Sequence, residues 1–402
     1  MLSSNREALA LGSHKHSLII GCLLLGLAAI PDVMVVPVLK ALTVDRFGVS
    51  EGSAHYFMAV NLLGALIAVF ILGLLNKRLS TAALLIISAL MSAILMTSMA
   101  FITSWWGFLA LRCVEGGTDL VLLAIPLRLI ASAGEKDRFA GRMGGGFTVM
   151  MLAMAIGAGF GGQIGEADPG KVLWAGAAIM LVLALFSSIL SRNINKIRES
   201  TEKALDSSSL IPSEWLGGGF LVLDRGLAAL VSTSMPILLA SGFAIGSTLL
   251  GIAFAGMFVA LAIFAVPAGI LSDKYGGQKV RFLSSVLCGL SLSGLGLMVW
   301  FPAAIILPPC LLMYGVGAAG LMPSAFATAV RPNASNLVYS SLQAAGQAGY
   351  AGGVLGGLLI VSIIALPAAE MITRLFPIAG VLFILCNIIL LLGIRTLESR
   401  VG

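Results

Sequence analysis

Long apolar stretches alternate with short polar segments along nearly the whole chain. A helix that crosses a membrane needs about 20 mostly apolar residues to cover roughly 30 Å of hydrocarbon. A strand of a membrane barrel would instead show about ten residues of alternating character. The stretches are continuous, so we predict helices. The twelve predicted spans are Leu18–Leu39, Ser53–Leu75, Thr81–Ile102, Trp105–Ile130, Met143–Ile164, Val172–Leu190, Trp215–Leu239, Ala244–Leu271, Val280–Trp300, Ala303–Val330, Ser340–Ile364 and Ile372–Ile394.

The pattern repeats, because features of the first six predicted spans return in the second six. Gly73 has a counterpart in Gly269, and the glycine-rich run 157–162 returns at 352–357. Membrane proteins built from two repeats usually bind their solute at the seam between them, so this organisation predicts a transporter. The predicted parts are a six-helix bundle over residues 1–190, a cytoplasmic linker over residues 191–213 and a second six-helix bundle over residues 214–402.

Composition narrows the class of protein further. Hydrophobic residues make up 59% of the chain and charged residues only 10%, which excludes an ordinary soluble domain. The five cysteines lie within predicted spans without metal-ligand spacing, so we expect packing residues and no metal site. The sequence shows no nucleophile–base constellation and no soluble domain that could hold an active site. We therefore expect neither an enzyme nor a cofactor.

The placement of positive charge predicts the orientation. Most of the 24 Lys and Arg residues fall in segments on one side of the predicted spans. By the positive-inside rule this side is cytoplasmic, which places both termini in the cytoplasm. The basic residues form no patch for nucleic acid. We expect a monomeric, multi-pass protein of the plasma membrane, of the bacterial inner-membrane type, whose partners are lipid, protons and a small solute.

The segment between spans eight and nine carries a spaced motif of glycine, acid and base. Its residues are Gly269, Asp273, Lys274, Gly276 and Lys279. This pattern resembles the best-known loop motif of the major facilitator superfamily. The resemblance implies an all-α integral membrane fold with twelve transmembrane helices in two pseudo-symmetric six-helix halves. It also implies that these residues form a cytoplasmic gate. An acid near a helix end can make charge-assisted hydrogen bonds there that act as a latch and stabilise one packing of the helices.

The equivalent loop of the first half departs from the motif, with Lys77 at the position of the acid. We therefore expect Asp273 to provide the main latch, with Arg142 and Lys77 as candidate partners. A lysine cannot replace the acid in such a contact, so the two loops should not be equivalent.

Three patterns in the first half resemble those of proton-coupled members of the same superfamily. Asp32 begins a pattern that is similar to a motif in the family's first helix. Arg112 with Gly116 is similar to a motif in its fourth helix. The run 157–162 is similar to the fifth-helix motif of antiporters, with Ala158 in place of the family's proline. The resemblance is closest to drug–proton exporters, and it implies antiport coupled to protons.

The same glycines predict close helix packing, because glycines four residues apart let two helix backbones approach. The predicted packing residues are Gly157, Gly161, Gly162, Gly352 and Gly356. Plain packing and a flexing seal between the halves both fit this spacing.

Charged residues inside predicted spans are the sharpest functional signal. Each costs roughly 2.5–3.5 kcal/mol at mid-membrane if it is left unpaired. Arg112, Glu115 and Asp119 fall on one helical face, and Asp32 lies at a depth that allows an ion pair with Arg112. We predict that these four residues couple transport to protons, since the buried acids outnumber the bases. A static set of salt bridges is the alternative.

Six further residues are candidates for a substrate cavity: Asp224, Arg225, Asn61, Gln343, Gln347 and Tyr350. For the uncharged members, hydrogen bonds between helices are an equally good explanation. His55, near the outer end of span two, is expected to be a solvated interface residue.

The sequence thus favours a secondary active transporter that moves a small organic solute by alternating access, as a proton-coupled exporter. An uptake permease for a small organic anion, with Arg112 and Arg225 as clamps, stays open. A transporter-like sensor or assembly protein that moves no solute also stays open, and the altered loop at Lys77 is the feature that favours it.

Overall fold

A computed structural model describes residues 2–75, 78–132, 139–198, 212–329, 336–364 and 366–401. Nearly all of these residues are helical. The long helices are α1 (Leu2–Met34), α2 (Tyr56–Leu75), α3 (Thr81–Phe101), α4 (Trp105–Ser132), α5 (Phe139–Ala167), α6 (Gly170–Ile189), α7 (Pro212–Ala229), α8 (Ser247–Tyr275), α9 (Gly277–Gly294), α10 (Ala303–Ala329), α11 (Asn336–Ile363) and α12 (Phe376–Val401).

The predicted all-helical membrane fold is confirmed. Within the described residues, ten helical segments are long and apolar enough to cross a membrane. Helix α4 is not among them, because four charged side chains interrupt its apolar sequence. Large apolar side chains such as Ile94, Leu185 and Leu283 are exposed along the helices. Such a surface needs lipid rather than water around it.

The chain forms two compact units, of which the first contains Met1–Val35 and Val60–Ala204. In this unit α1 packs against α4, α5 and α6, and α3 packs against α4 and α6. Gly157 and Gly161 lie at the contact of α5 with α1, where an added Cβ would collide with backbone carbonyl oxygens of α1. Gly162 is buried beside them. The fifth-helix glycines therefore set how closely α5 approaches α1.

The segment predicted as a solvated linker begins inside this first unit. Residues Ser191–Arg198 form a short helix. The side chain of Ile194 is fully buried, and Asn195 Oδ1 accepts a hydrogen bond of 3.0 Å from the backbone N–H of Ala82. Because that N–H belongs to the first turn of α3, Asn195 satisfies one of the donors that a helix start leaves open.

The second unit contains Val36–Ala59 and Leu205–Gly402. Helices α8 and α9 both pack against α10, α11 packs against α7, and α9 packs against α12. The connection between α1 and α2 also belongs to this unit, since Val36–Val38 packs against α8 and Glu51–Ala54 packs against α11. The first unit and the first half of the sequence are therefore not the same set of residues.

His55 anchors this connecting segment within the second unit. Its ring is fully buried. Nδ1 lies 3.0 Å from the carbonyl oxygen of Glu51, and Nε2 lies 2.9 Å from the hydroxyl of Ser234. A carbonyl only accepts, so Nδ1 carries a proton and Nε2 of a neutral ring accepts from Ser234. The expectation of a solvated His55 is wrong, because the segment lies against α11 at Gly357 and covers the ring.

Helices α7 and α11 touch backbone to backbone within the second unit. A Cβ on Gly353 would collide with the carbonyl oxygen of Gly226. The predicted packing residues Gly352 and Gly356 take no part in this contact, since a Cβ on either meets no described atom within 4 Å. Each residue turns a helix by about 100°, so Gly352 and Gly356 point away from the face that contacts α7.

Two neighbouring substitutions test this packing. We expect Gly353→Val to destabilise the protein by roughly 1–3 kcal/mol, as overpacked contacts do, because its side chain would enter the backbone of α7. Gly352→Val makes the same chemical change one residue away, where space is open, and should change little. Thermal unfolding of both purified variants in one detergent measures the difference. Equal melting temperatures would contradict the assigned packing face.

Candidate functional site

Helix α4 places three charged side chains on one face, as their spacing predicted. An Nη1–H of Arg112 donates to the carboxylate of Glu115, three residues on. The same Nη1 lies 3.8 Å from Asp119 Oδ2. Positions i, i+3 and i+7 of a helix lie above one another. We call these three residues, together with Asp32 and Asn61, the α4 charge cluster.

Asn61 joins the cluster from α2. Its Nδ2 donates to Asp119 Oδ2 at 2.9 Å and to Glu115 Oε2 at 3.4 Å. Helices α2 and α4 come close enough for these bonds because Gly116 has no side chain, and a Cβ there would collide with the carbonyl oxygen of Asn61. The sequence placed Asn61 among the candidate cavity residues, but its amide is engaged with two acids.

The cluster is sealed at one end and accessible at the other. The side chains of Arg112 and Glu115 are 1% exposed, whereas that of Asp119 is 17% exposed. Asp32 of α1 is half-buried and interacts electrostatically with Arg112, Glu115 and Asp119. The predicted partner of Arg112 was Asp32. Glu115 takes that place at close range, because it lies one turn away on the same helix.

The charges of the cluster do not balance. Asp32, Glu115 and Asp119 are three acids, and Arg112 is the base that interacts with all of them. Like charges at short range disfavour ionisation, and excess charge is unfavourable at membrane depth. With all three acids ionised the cluster has two negative charges in excess, and taking up protons or a cationic solute reduces this excess. In the described part of the chain, no three His, Cys, Asp or Glu side chains are arranged to hold a metal ion.

The second unit holds another buried ion pair, between Arg281 of α9 and Asp224 of α7. The carboxylate accepts from Nη1 at 2.7 Å and from Nη2 at 2.5 Å. Nε and Nη2 also donate to Asn387 Oδ1, and Nη1 donates to the carbonyl oxygen of Leu321 at 2.9 Å. The guanidinium carbon lies 4.4 Å from the ring centre of Phe220. These bonds connect α9 to α7, α10 and α12, so the group clamps helices together.

Sequence reasoning missed Arg281 and Asn387. Arg281 stands at the start of the ninth predicted span, where the positive-inside rule indicates a cytoplasmic anchor, yet its side chain is 0% exposed. Asn387 is a buried amide in the apolar twelfth span, and this isolation is the signal that could have found it. Asp224, predicted to line a substrate cavity, has both carboxylate oxygens bonded to Arg281 instead.

The other predicted cavity residues differ in what they contact. Tyr350 and Ser232 share a hydrogen bond of 2.9 Å. Gln347 is exposed, and the side chain of Gln343 lies outside the described residues. Arg225 is half-buried and forms no ion pair with any residue that the structure describes. Arg225 interacts electrostatically with Asp224, the preceding residue.

The predicted gate segment forms a one-residue break between two helices. Helix α8 ends at Tyr275, α9 begins at Gly277, and Gly276 between them has φ +90°. This backbone conformation favours glycine, which explains the second glycine of the motif. A Cβ on Gly269 would meet no described atom within 4 Å, so its smallness is not required by packing there. Lys279 is exposed in the first turn of α9.

Asp273 and Lys274 lie in the last turn of α8 and are exposed. Lys274 Nζ lies 5.3 Å from the ring centre of the neighbouring tyrosine. Asp273 forms no ion pair among the described residues. The side chains of its candidate partners, Lys77 and Arg142, fall outside the described residues, so the latch stays a prediction.

The Arg281–Asp224 pair can be tested by removing its members singly and together. Arg281→Met should destabilise the protein by about 3–5 kcal/mol, because it leaves a buried carboxylate without its partner. Asp224→Leu should do the same for the guanidinium. The double variant buries no unpaired charge and should lose less than either single variant. Thermal unfolding under one set of conditions measures all three. A double variant that loses the sum of the single effects would show that the two side chains do not act as a pair.

Residues 21–231 match the family model described as the Major Facilitator Superfamily. The search of curated proteins gives no match. Three solved structures similar to this chain are transporters, and at their level of identity the likeness shows the fold alone. A D-xylose-proton symporter has a TM-score of 0.73, 14% identity and coverage of 94% of this chain and 97% of its own. The nucleoside transporter NupG has a TM-score of 0.69 and 14% identity, and the match covers 94% of this chain and 98% of NupG. The human organic anion transporter MFSD10 has a TM-score of 0.62 and 16% identity, and the match covers 94% of this chain and 99% of MFSD10.

The family match reaches from the first helix into the seventh and includes the whole α4 charge cluster. The fold, the apolar helices and the neighbours in structure all agree with it. Because the matched residues make up more than half of the chain, this protein belongs to the major facilitator superfamily and is a membrane transporter, not an enzyme.

Proposed function

We propose that this protein is a proton-coupled secondary transporter of a small organic solute that works by alternating access. The observation that carries the proposal is the charge imbalance of the α4 charge cluster, in which Arg112 interacts with three acids. In the second unit, by contrast, Asp224 has both carboxylate oxygens bonded to Arg281 and interacts with a second base, Arg225. The excess acid of the first unit is instead suited to take up and release protons.

The accessible end of the cluster is where we place proton exchange. Asp119 is 17% exposed, accepts a hydrogen bond from Asn61 and lies 3.8 Å from Arg112. A proton on Asp119 weakens its attraction to Arg112 and relieves its repulsion with Glu115. Asp32 is the second exchange site. Since the cluster joins α1, α2 and α4, its protonation changes which packing of these helices is favoured.

Alternating access also requires a contact that opens. Residues 36–59 connect α1 to α2 but belong to the second unit, and the hydrogen bond between His55 and Ser234 fixes them there. We infer that the transporter opens on the side of the membrane where this segment lies only when the segment leaves α11. The positive-inside distribution makes this the outer side, with both termini cytoplasmic in a plasma membrane of the bacterial inner-membrane type. The protein acts as a monomer in this proposal.

Export is the direction that we favour. Its support is the resemblance of the first-half patterns to proton-coupled exporters, together with the excess acid near Asp119, which suits a cationic or zwitterionic solute. A D-xylose-proton symporter shares the fold, so proton coupling is compatible with it. Under this proposal protons and solute cross in opposite directions.

Uptake of a small organic anion is the second candidate, and Arg225 is the observation that favours it. This guanidinium is half-buried and has no ion pair among the described residues, so it can receive a carboxylate or phosphate. An organic anion transporter also shares the fold. The hypothesis of a non-transporting sensor rests on the loop at Lys77, which the described residues do not include.

Transport by purified protein in proteoliposomes tests the proton coupling. The solute is chosen first, by thermal stabilisation of the protein across a compound library. We expect Asp119→Asn and Asp32→Asn to abolish transport driven by a pH gradient, because neither amide takes up a proton. Exchange of labelled for unlabelled solute without a gradient should continue.

Asp168→Asn is the matched control, since Asp168 is an exposed acid outside the cluster. Undiminished gradient-driven transport in both cluster variants would refute the proposed coupling.

Everted and right-side-out vesicles then decide the direction. Solute accumulation in right-side-out vesicles alone would replace export by uptake.

A further inference from the structure

A cavity of about 290 Å³ lies where four helices of the second unit end or begin. Its described lining residues are Tyr275, Gly276, Gly277, Gln278, Lys279, Thr328 and Arg395. They come from the α8–α9 junction, the end of α10 and the end of α12. None of them belongs to the α4 charge cluster or to the Arg281–Asp224 pair, whereas Gly276 and Lys279 belong to the predicted gate motif.

The charge of this cavity is one-sided. Lys279 and Arg395 supply two cations, and no Asp or Glu is among the lining residues that the structure describes. Nε of Arg395 donates to Gln278 Oε1 at 3.0 Å. This bond uses one of the five guanidinium N–H groups, so it orients the side chain while the others can donate to a ligand. Asp273, although close in sequence, does not line the cavity.

Two kinds of neutral donor complete the cavity. Helix α9, which is 18 residues long, starts here after Gly276 and has no side-chain cap. Its first backbone N–H groups therefore have no partner within the helix, and they lie at the positive end of the helix dipole. The hydroxyl oxygen of Thr328 is buried and has no hydrogen-bond partner in the described structure. Cations, amides and a hydroxyl together are the donor set that binds phosphate.

We propose that this cavity binds a phosphate group, and that the phosphate belongs to the headgroup of an anionic membrane lipid. Lys279 and Arg395 pair with the negative charge, and the start of α9 donates to the phosphate oxygens. Tyr275, the last residue of α8, lines the cavity and favours lipid as the source, since it is 53% exposed, as aromatic residues at membrane interfaces are. Basic residues at such positions attract anionic headgroups.

Binding of phosphatidylglycerol to the purified full-length protein, measured by native mass spectrometry, tests the site. Phosphatidylcholine, whose headgroup has no net charge, is the comparison lipid. We expect Lys279→Gln and Arg395→Gln each to weaken phosphatidylglycerol binding roughly fivefold, as the loss of one basic contact does. Thr328→Val keeps the shape and charge of the site and should also weaken it. Binding of phosphatidylcholine should not change.

Lys274→Gln is the matched control, because it removes the same charge from the adjoining last turn of α8, outside the cavity. An equal loss in Lys274→Gln and Lys279→Gln would show diffuse attraction and overturn the proposal. Inorganic phosphate, added to delipidated protein, is the second arm. Stabilisation by inorganic phosphate without binding of phosphatidylglycerol would overturn lipid as the occupant, and no response to either would overturn the site. The readout is binding, so its result does not depend on the proposed transport function.

Discussion

The cost of burying charge in an apolar medium is the constraint on which the rest of this structure depends. A charged side chain at membrane depth must be paired or hydrogen-bonded, or else neutralised. The two units meet this requirement in different ways. In the second unit Arg281 and Asp224 balance one another, and Asn387 accepts two further guanidinium bonds. In the first unit Arg112 faces more acid than it can balance. The arrangement in the second unit is stable as it stands, whereas the acids of the first-unit cluster exceed its base by two charges and need further positive charge.

Close backbone contacts determine where these charges can meet. Gly116 lets α2 approach α4 until the amide of Asn61 reaches Asp119 and Glu115. Gly353 brings α11 against α7, the helix that carries Asp224. A larger side chain at either glycine would separate the helices and leave polar groups without partners in the membrane. The glycines therefore determine which polar groups can bond as well as how the helices pack, because hydrogen bonds need distances near 3 Å.

Local pattern predicted the helices and the charged face of α4, because helix period and side-chain spacing depend on neighbouring residues in sequence. Partners from distant helices were not accessible in this way. Arg281 reads as an anchor at a span end until α7 and α12 supply Asp224 and Asn387. His55 reads as a surface residue until Ser234 is placed beside it. Whether Gly353 or Gly352 faces α7 depends on the position of the partner helix, which a single sequence does not specify.

The central claim is that the α4 charge cluster holds a proton in the membrane. Infrared difference spectroscopy of the protein in lipid measures this directly, since a protonated carboxyl has a carbonyl stretch that an ionised carboxylate lacks. The account predicts this band in wild-type protein at neutral pH, its loss when Asp32 and Asp119 are both replaced by asparagine, and its persistence in Asp224→Asn. A wild-type spectrum without the band, or a band that survives the loss of Asp32 and Asp119 unchanged, would contradict it.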